Sequence, residues 1–119
     1  MKTTDAVRSL AALAQETRLE VFRQLVQQGA SGLAAGEIAE HLDVSPATLS
    51  FHLKELSHAR LVSARQDGRF IFYSANFAEM NRLLGYLTDN CCANDGGSCK
   101  PITCSPRMNA RKTRRKEIA

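Results

Sequence analysis

The chain has 119 residues, 44% of them hydrophobic and 24% charged, which predicts one globular domain and excludes two. No run of about 18 apolar residues occurs, and Arg8, Ser9 and Gln15 interrupt the N-terminal apolar run, so we expect neither a membrane span nor a secretory signal. The net charge of +4 is uneven, because residues 1–94 carry nine basic and ten acidic side chains and residues 95–119 carry seven and two. Charge alone is therefore weak evidence that the folded part binds nucleic acid.

Four cysteines are present, and all of them lie between residues 91 and 104. We expect a cytoplasmic protein, and the cytoplasm keeps thiols reduced. The cysteines are therefore expected to act as metal ligands or redox thiols and not as a disulfide framework.

Apolar residues at helical spacing predict three helices in the first part of the chain, over about residues 5–14, 17–28 and 36–42. Each has one apolar face, and the face of the third helix is expected to be buried. In the second helix, the spacing of Thr17 and Glu20 predicts a capping box.

The fourth predicted helix has the clearest start in the sequence. Ser45 is a favourable N-cap residue, and Pro46 suits the first helical position, where the N–H that proline lacks is not needed. Leucines at helical spacing predict a buried face up to about residue 59. The residues expected to point outward are Ala47, Thr48, Ser50, Phe51, Lys54 and His58.

Helical spacing then gives way to two β-prone runs, residues 61–65 and 69–73. They flank three residues ending in Asp67-Gly68, and Asp-Gly between such runs predicts a β-hairpin. Asn76 is expected to cap a last helix. This order of elements is that of a winged helix-turn-helix, a mainly α fold with a small β-hairpin.

Two segments resemble a known family: S-P-A-T-L-S-F-H-L-K-E-L from Ser45 to Leu56, and G-R-F-I-F-Y from Gly68 to Tyr73. They are similar to the recognition helix and the wing of the ArsR/SmtB-type metalloregulatory repressors. The resemblance covers about residues 5–92. Arg60 departs from it, because the family usually has glycine after this helix.

Glycine, serine and proline after the last predicted helix, followed by a basic run, predict a cysteine-containing loop and a disordered basic tail over residues 93–119. The resemblance implies that residues 1–92 form a DNA-binding and dimerisation domain. It also implies a homodimer formed by the first and last helices, which reads near-palindromic double-stranded operator DNA with half-sites about 34–36 Å apart. A folded part this small often gains stability from a second copy. The alternative is that the same apolar faces only close the core of the monomer.

Seven residues are expected to contact DNA. A recognition helix reads the major groove with its N-terminal residues, where Thr48 and Ser50 can bond bases or phosphates. Lys54 is expected to neutralise a phosphate, and Arg69 is expected to be the wing contact. The alternative is a solvated polar face, and His52 is expected to pack inside the fold. The predicted set is Ser45, Ala47, Thr48, Ser50, Phe51, Lys54 and Arg69.

The cysteines indicate the inducer, because thiolates select soft ions. Trivalent arsenic or antimony takes three thiolates in a pyramid, whereas zinc prefers four in a tetrahedron. Many arsenic-sensing relatives carry C-x-C at the start of the third helix, which the stretch 33–39 lacks, and the last helix has no histidine for a zinc-type site. The chain therefore resembles the variant with a vicinal cysteine pair after the last helix. This implies an As(III) or Sb(III) site of Cys91, Cys92 and Cys99, with Cys104 as an alternative ligand and no permanent cofactor.

Other interpretations of the cysteines stay open at this point: a redox switch that joins Cys91 or Cys92 to Cys99, a four-thiolate zinc, cadmium or lead site, or no role. The expected function is a repressor of arsenical-resistance genes that leaves its operator when the metalloid binds. An enzyme such as a small reductase is not expected, since no Cys-x-x-Cys follows a strand. A metalloid chaperone would not require the recognition helix and the wing.

Overall fold

The structure is a computed structural model, and it describes residues 1–95. It confirms a mainly helical fold with a hairpin wing. No helix among these residues is long and apolar enough to cross a bilayer. The elements in chain order are α1 (Thr3–Leu13), α2 (Glu16–Gln28), β1 (Leu33–Ala34), α3 (Ala35–Leu42), α4 (Pro46–His58), β2 (Val62–Asp67), β3 (Phe70–Ala75), α5 (Phe77–Leu87) and a short 3-10 helix (Ala93–Asp95).

The chain divides into two units, Met1–Met80 and a second that begins at Asn81. The first contains α1 to α4, the sheet and the first turn of α5. The second contains the rest of α5 and the residues that follow it. The domain boundary predicted at residue 92 stays a prediction, and the predicted disordered tail lies outside the described residues.

The core of the first unit is built from one apolar face of each of the central helices. The most deeply buried side chains of this core are Val21, Leu25, Ile38, Leu49, Leu56 and Leu61. Burial of these large aliphatic groups removes apolar surface from water, at roughly 1.5–3 kcal/mol for each fully buried side chain. Because α4 buries its leucine face here, its opposite face is left to solvent.

The start of α2 differs from the prediction. The N-cap residue is Gln15, whose side-chain oxygen accepts a hydrogen bond of 2.9 Å from the Arg18 backbone N–H. Thr17 already lies inside the helix, so the predicted capping box with Glu20 is wrong. The short turn after α1 places Gln15 in the extended conformation that a cap requires, which sequence spacing alone does not reveal.

The hairpin is confirmed, but its turn lies one residue later than predicted. Asp67 pairs with Phe70, so the loop consists of Gly68 and Arg69. Of these two loop residues, only Gly68 has a positive φ, +65°. This is the pattern of a type II′ turn, which has glycine at its first central position. The third strand, β1, was not predicted, and it pairs with β3 through the antiparallel pair Leu33 and Tyr73.

Candidate nucleic-acid interface and thiol pair

The start of α4 is capped as the sequence predicts. The Ser45 hydroxyl oxygen accepts a bond of 3.1 Å from the Thr48 backbone N–H and donates its proton to the Thr48 hydroxyl oxygen over 2.9 Å. Since the Thr48 hydroxyl oxygen accepts that bond, its own proton is free to be donated outward. Ser45 therefore acts as a cap, and Thr48 presents the donor at this helix end.

The predicted DNA-contacting residues of α4 are all exposed and lie on the side of the helix away from the core. Phe51, the large apolar side chain of this face, exposes 56% of its surface. Arg69 is also exposed, but it lies in the hairpin turn, on a separate element. The exposed residues of α4 from the predicted set are Ala47, Thr48, Ser50, Phe51 and Lys54.

His52 faces the other way and is only 8% exposed. Its Nδ1 lies 3.2 Å from a guanidinium nitrogen of Arg18 in α2, so the expectation that His52 bonds inside the fold is confirmed. Burial lowers the pKa of His52, and the positive charge of Arg18 lowers it further, while Glu55 raises it. The imidazole is therefore held in its neutral form more strongly than an exposed histidine.

The wing carries a second exposed cation that was not predicted from the sequence. Arg65 in β2 is exposed and pairs across the hairpin with Phe72 in β3. Its guanidinium carbon lies 5.2 Å from the centre of the Phe72 ring, within cation–π distance. The predicted turn over residues 66–68 would have paired Arg65 with Arg69, so this contact follows only from the register that the structure shows. The wing thus presents Arg65 as well as Arg69.

The adjacent thiols Cys91 and Cys92 lie beyond the end of α5. Helix α5 ends at Leu87, before the cysteines as predicted but three residues earlier than the expected end at Asn90. Asn90 and Cys92 both take left-handed backbone conformations, with φ of +58° and +59°. The two Sγ atoms lie 3.6 Å apart. The irregular backbone turns the two thiols toward each other, which neighbouring residues on a regular helix or strand do not achieve.

The distance of 3.6 Å between the Sγ atoms of Cys91 and Cys92 suits two ligands of one ion. Two Zn–S bonds of about 2.3 Å at a tetrahedral angle place their sulfurs about 3.8 Å apart. Cys91 is exposed and Cys92 half-buried, so a soft ion has access to the pair. Cys99 and Cys104 lie outside the described residues. Within residues 1–95, no group of three or more His, Cys, Asp or Glu side chains is placed to hold a metal ion.

The comparisons with known proteins agree with this architecture. Residues 13–64 match the family described as a helix-turn-helix domain. The arsenical resistance operon repressor of Bacillus subtilis is 35% identical over 81 residues, which cover 68% of this chain and 73% of the relative. This chain belongs to the ArsR/SmtB family of winged-helix regulators. It is a DNA-binding transcriptional repressor and not an enzyme.

The chain is also similar to relatives with other names. The nodulation protein NolR of Rhizobium meliloti is 35% identical over 80 residues, 67% of this chain but only 63% of that relative. The solved structure of HlyU from Vibrio cholerae superposes with a TM-score of 0.62 at 30% identity, covering 77% of this chain and 99% of HlyU. Because these relatives carry different functional names, family membership alone does not identify the inducer.

Proposed function

We propose that this ArsR/SmtB repressor controls arsenical-resistance genes and releases its operator when As(III) or Sb(III) binds Cys91, Cys92 and Cys99. The observation that carries the proposal is the pair of thiols, with sulfurs 3.6 Å apart, a few residues after the end of α5. The pair supplies two of the three thiolates that a trivalent metalloid takes. Cys99 follows within seven residues and supplies the third, with Cys104 as the alternative.

The main alternative is a repressor of the same fold that responds to thiol oxidation or to cadmium, lead or zinc. Neighbouring Cα atoms are 3.80 Å apart, below the usual disulfide range of about 4.4–6.8 Å, so a bridge within the pair is disfavoured. A redox switch would therefore join the pair to Cys99. A tetrahedral metal would require all four thiolates.

Calorimetric titration with arsenite distinguishes these alternatives. We expect one arsenite per chain, strong loss of binding in Cys91→Ser, Cys92→Ser and Cys99→Ser, and nearly unchanged binding in Cys104→Ser. Equal loss in all four variants, with tight binding of zinc or cadmium to the wild type, would favour the tetrahedral site. Unchanged arsenite binding in Cys91→Ser and Cys92→Ser would refute the site.

For DNA, we propose that the exposed face of α4 enters the major groove. Thr48 and Ser50 would bond base edges or phosphates, and Ala47 would meet a thymine methyl group. Phe51 adds exposed apolar surface to the same face, and the positive N-terminal end of α4, which begins at the Ser45 cap, would attract a phosphate. Lys54 would neutralise a phosphate and Arg69 would contact the minor groove or the backbone.

The salt dependence of operator binding tests these assignments. The probe is a duplex that the protein itself selects from a random-sequence library. Lys54→Gln is expected to reduce the slope of log K against log salt by about 1 and to weaken binding to all sequences alike. Lys2→Gln, which removes an exposed lysine of the N-terminus, is the matched control. Equal slopes for wild type and Lys54→Gln would remove Lys54 from the interface.

We further propose that the repressor is a homodimer. Helix α1 exposes two large apolar side chains, Val7 at 57% and Leu10 at 41%, and α5 exposes Leu87 at 55%. A second copy would cover such surface, and a two-fold dimer would match a near-palindromic operator. Sedimentation equilibrium tests this: Val7→Glu with Leu10→Glu is expected to shift the wild-type dimer toward monomer, whereas the exposed α2 variant Arg23→Glu is not.

A further inference from the structure

Arg18 makes two side-chain hydrogen bonds that connect three helices. Its Nε donates to the backbone carbonyl of Ala12 in the last turn of α1, over 2.7 Å. A second guanidinium nitrogen lies 3.2 Å from Nδ1 of His52 in α4. Arg18 itself belongs to the first turn of α2 and is half-buried. One side chain thus joins the end of α1, the start of α2 and the middle of α4.

The chemistry of the two partners fixes the direction of these bonds. A guanidinium has only donors, so Nδ1 of His52 accepts and the imidazole proton resides on Nε2. The Ala12 carbonyl is among the last four of α1, which have no partner within the helix. Arg18 therefore satisfies a free helix end and a buried ring nitrogen at once, and a lysine cannot reproduce this planar pair of donors.

The position of His52 in α4 explains how its hydrogen bond with Arg18 can affect DNA binding. His52 is buried, whereas its neighbour Phe51 and Lys54, half a turn on, are exposed on the outward face of α4. A bond to His52 therefore resists rotation of α4 about its own axis. Such rotation would move the side chains of the outward face relative to the base edges while the phosphate contacts adjust.

We propose that Arg18 is a positioning residue for operator recognition, which holds α4 against the α1–α2 corner through His52 and so aligns its outward face with the bases. The inference rests on the DNA-binding function of the chain. A purely stabilising contact would change the folded fraction and affect every DNA sequence equally. A positioning contact changes the ratio of the affinity for the operator to the affinity for unrelated DNA.

The test measures this ratio by fluorescence anisotropy, with the selected operator and a scrambled duplex of the same composition. Arg18→Gln is expected to lower the ratio about tenfold, comparable with the loss of one good base contact. The matched control is Arg23→Gln, also in α2 but exposed, which should leave the ratio unchanged. A wild-type ratio near one would instead contradict specific DNA binding itself, so the two failures are distinguishable.

Variants of His52 cover the case in which Arg18→Gln does not fold. His52→Asn keeps an acceptor near the position of Nδ1 and should retain the ratio within about twofold, whereas His52→Leu should lower it as Arg18→Gln does. Where all variants fold, the double variant should lose no more than either single variant, because the two residues act through one bond. Parallel loss of both affinities, with a constant ratio, would overturn the proposal.

Discussion

The side-chain amide of Asn76 donates a hydrogen bond of 2.9 Å to the backbone carbonyl of Arg60 and so connects the segment after α4 with the start of α5. The backbone N–H of Asn76 also donates to the Leu61 carbonyl over 2.8 Å. On its other side, the Asn76 side-chain oxygen accepts from the Glu79 backbone N–H, which confirms the predicted cap of α5. Asn76 thus caps α5 and also connects α5 to the segment after α4.

Replacement of Asn76 separates these two roles. Asn76→Ala removes the cap and the bond to Arg60, and it is expected to lower the free energy of unfolding by about 1–2 kcal/mol. Asn76→Ser keeps a capping oxygen but cannot reach Arg60, so it should cost about half as much. Urea unfolding followed by circular dichroism measures both. Equal stability of the serine variant and the wild type would show that the bond to Arg60 contributes nothing.

Arg60 occupies a backbone position that favours glycine. Its φ is +65°, and its N–H bonds to the Ser57 carbonyl while that of Leu61 bonds to the Leu56 carbonyl, the pattern of a Schellman C-cap. Arg60→Gly is expected to raise the free energy of unfolding by about 0.5–1 kcal/mol, because glycine adopts this conformation without a clash of its Cβ. Arg60→Ala retains the strain and is the control. A glycine variant no more stable than the alanine variant would contradict this.

Gly32 allows the close approach of β1 to β3. A Cβ added there would lie 2.5 Å from the Tyr73 carbonyl oxygen, and φ is +74°. Gly32→Ala is therefore expected to cost more than about 2 kcal/mol. Gly29→Ala is the matched control, because Gly29 also has a positive φ, +89°, but no atom lies within 4 Å of the added Cβ. Thermal unfolding of both variants isolates the cost of the clash. Equal losses of stability in the two variants would show that the clash is absent.

The stability of the fold should depend on pH through His52. Burial and Arg18 lower its pKa in the folded state, while Glu55 acts in the opposite direction. Between the ordinary histidine pKa of about 6.5 and this lower value, the unfolded chain binds more protons, so the free energy of unfolding falls as the pH decreases. Above about pH 6.5, His52 no longer makes the free energy of unfolding depend on pH.

Urea unfolding at a series of pH values checks this expectation. The wild type should lose more stability on acidification below about pH 6.5 than His52→Asn, which has no titrating ring. The exposed residue His58 supplies the control, and His58→Asn should follow the wild type. Identical pH profiles for the wild type and His52→Asn would contradict the link between protonation and stability.

Local rules explain which parts of the fold were predictable from the sequence. Ser45 and Pro46 mark the start of α4 because capping involves only neighbouring residues, and the exposed face of α4 follows from helical spacing. Strand β1 has two residues, too few for any periodicity, and it exists through pairing with Tyr73 some 40 residues later.

Some features of the candidate site were likewise predictable from the sequence, and others were not. The residue types and exposure of the α4 face were predictable, as was the end of α5 before Cys91. The bond between Arg18 and His52 joins residues 34 positions apart, and nothing in the spacing of either residue indicates it. The left-handed conformation of Cys92 was equally hidden, because L side chains seldom adopt it and only the surrounding turn selects it.

The most direct test of the repressor mechanism measures the operator dissociation constant with and without saturating arsenite, for the wild type and for the double variant Cys91→Ser with Cys92→Ser. Arsenite is expected to weaken wild-type binding by about 5- to 150-fold, a usual range for coupling between two sites, and to leave the double variant on the operator. Cys104→Ser should respond as the wild type does. A wild-type repressor that stays bound at saturating arsenite, or a double variant that is released equally, would contradict the mechanism.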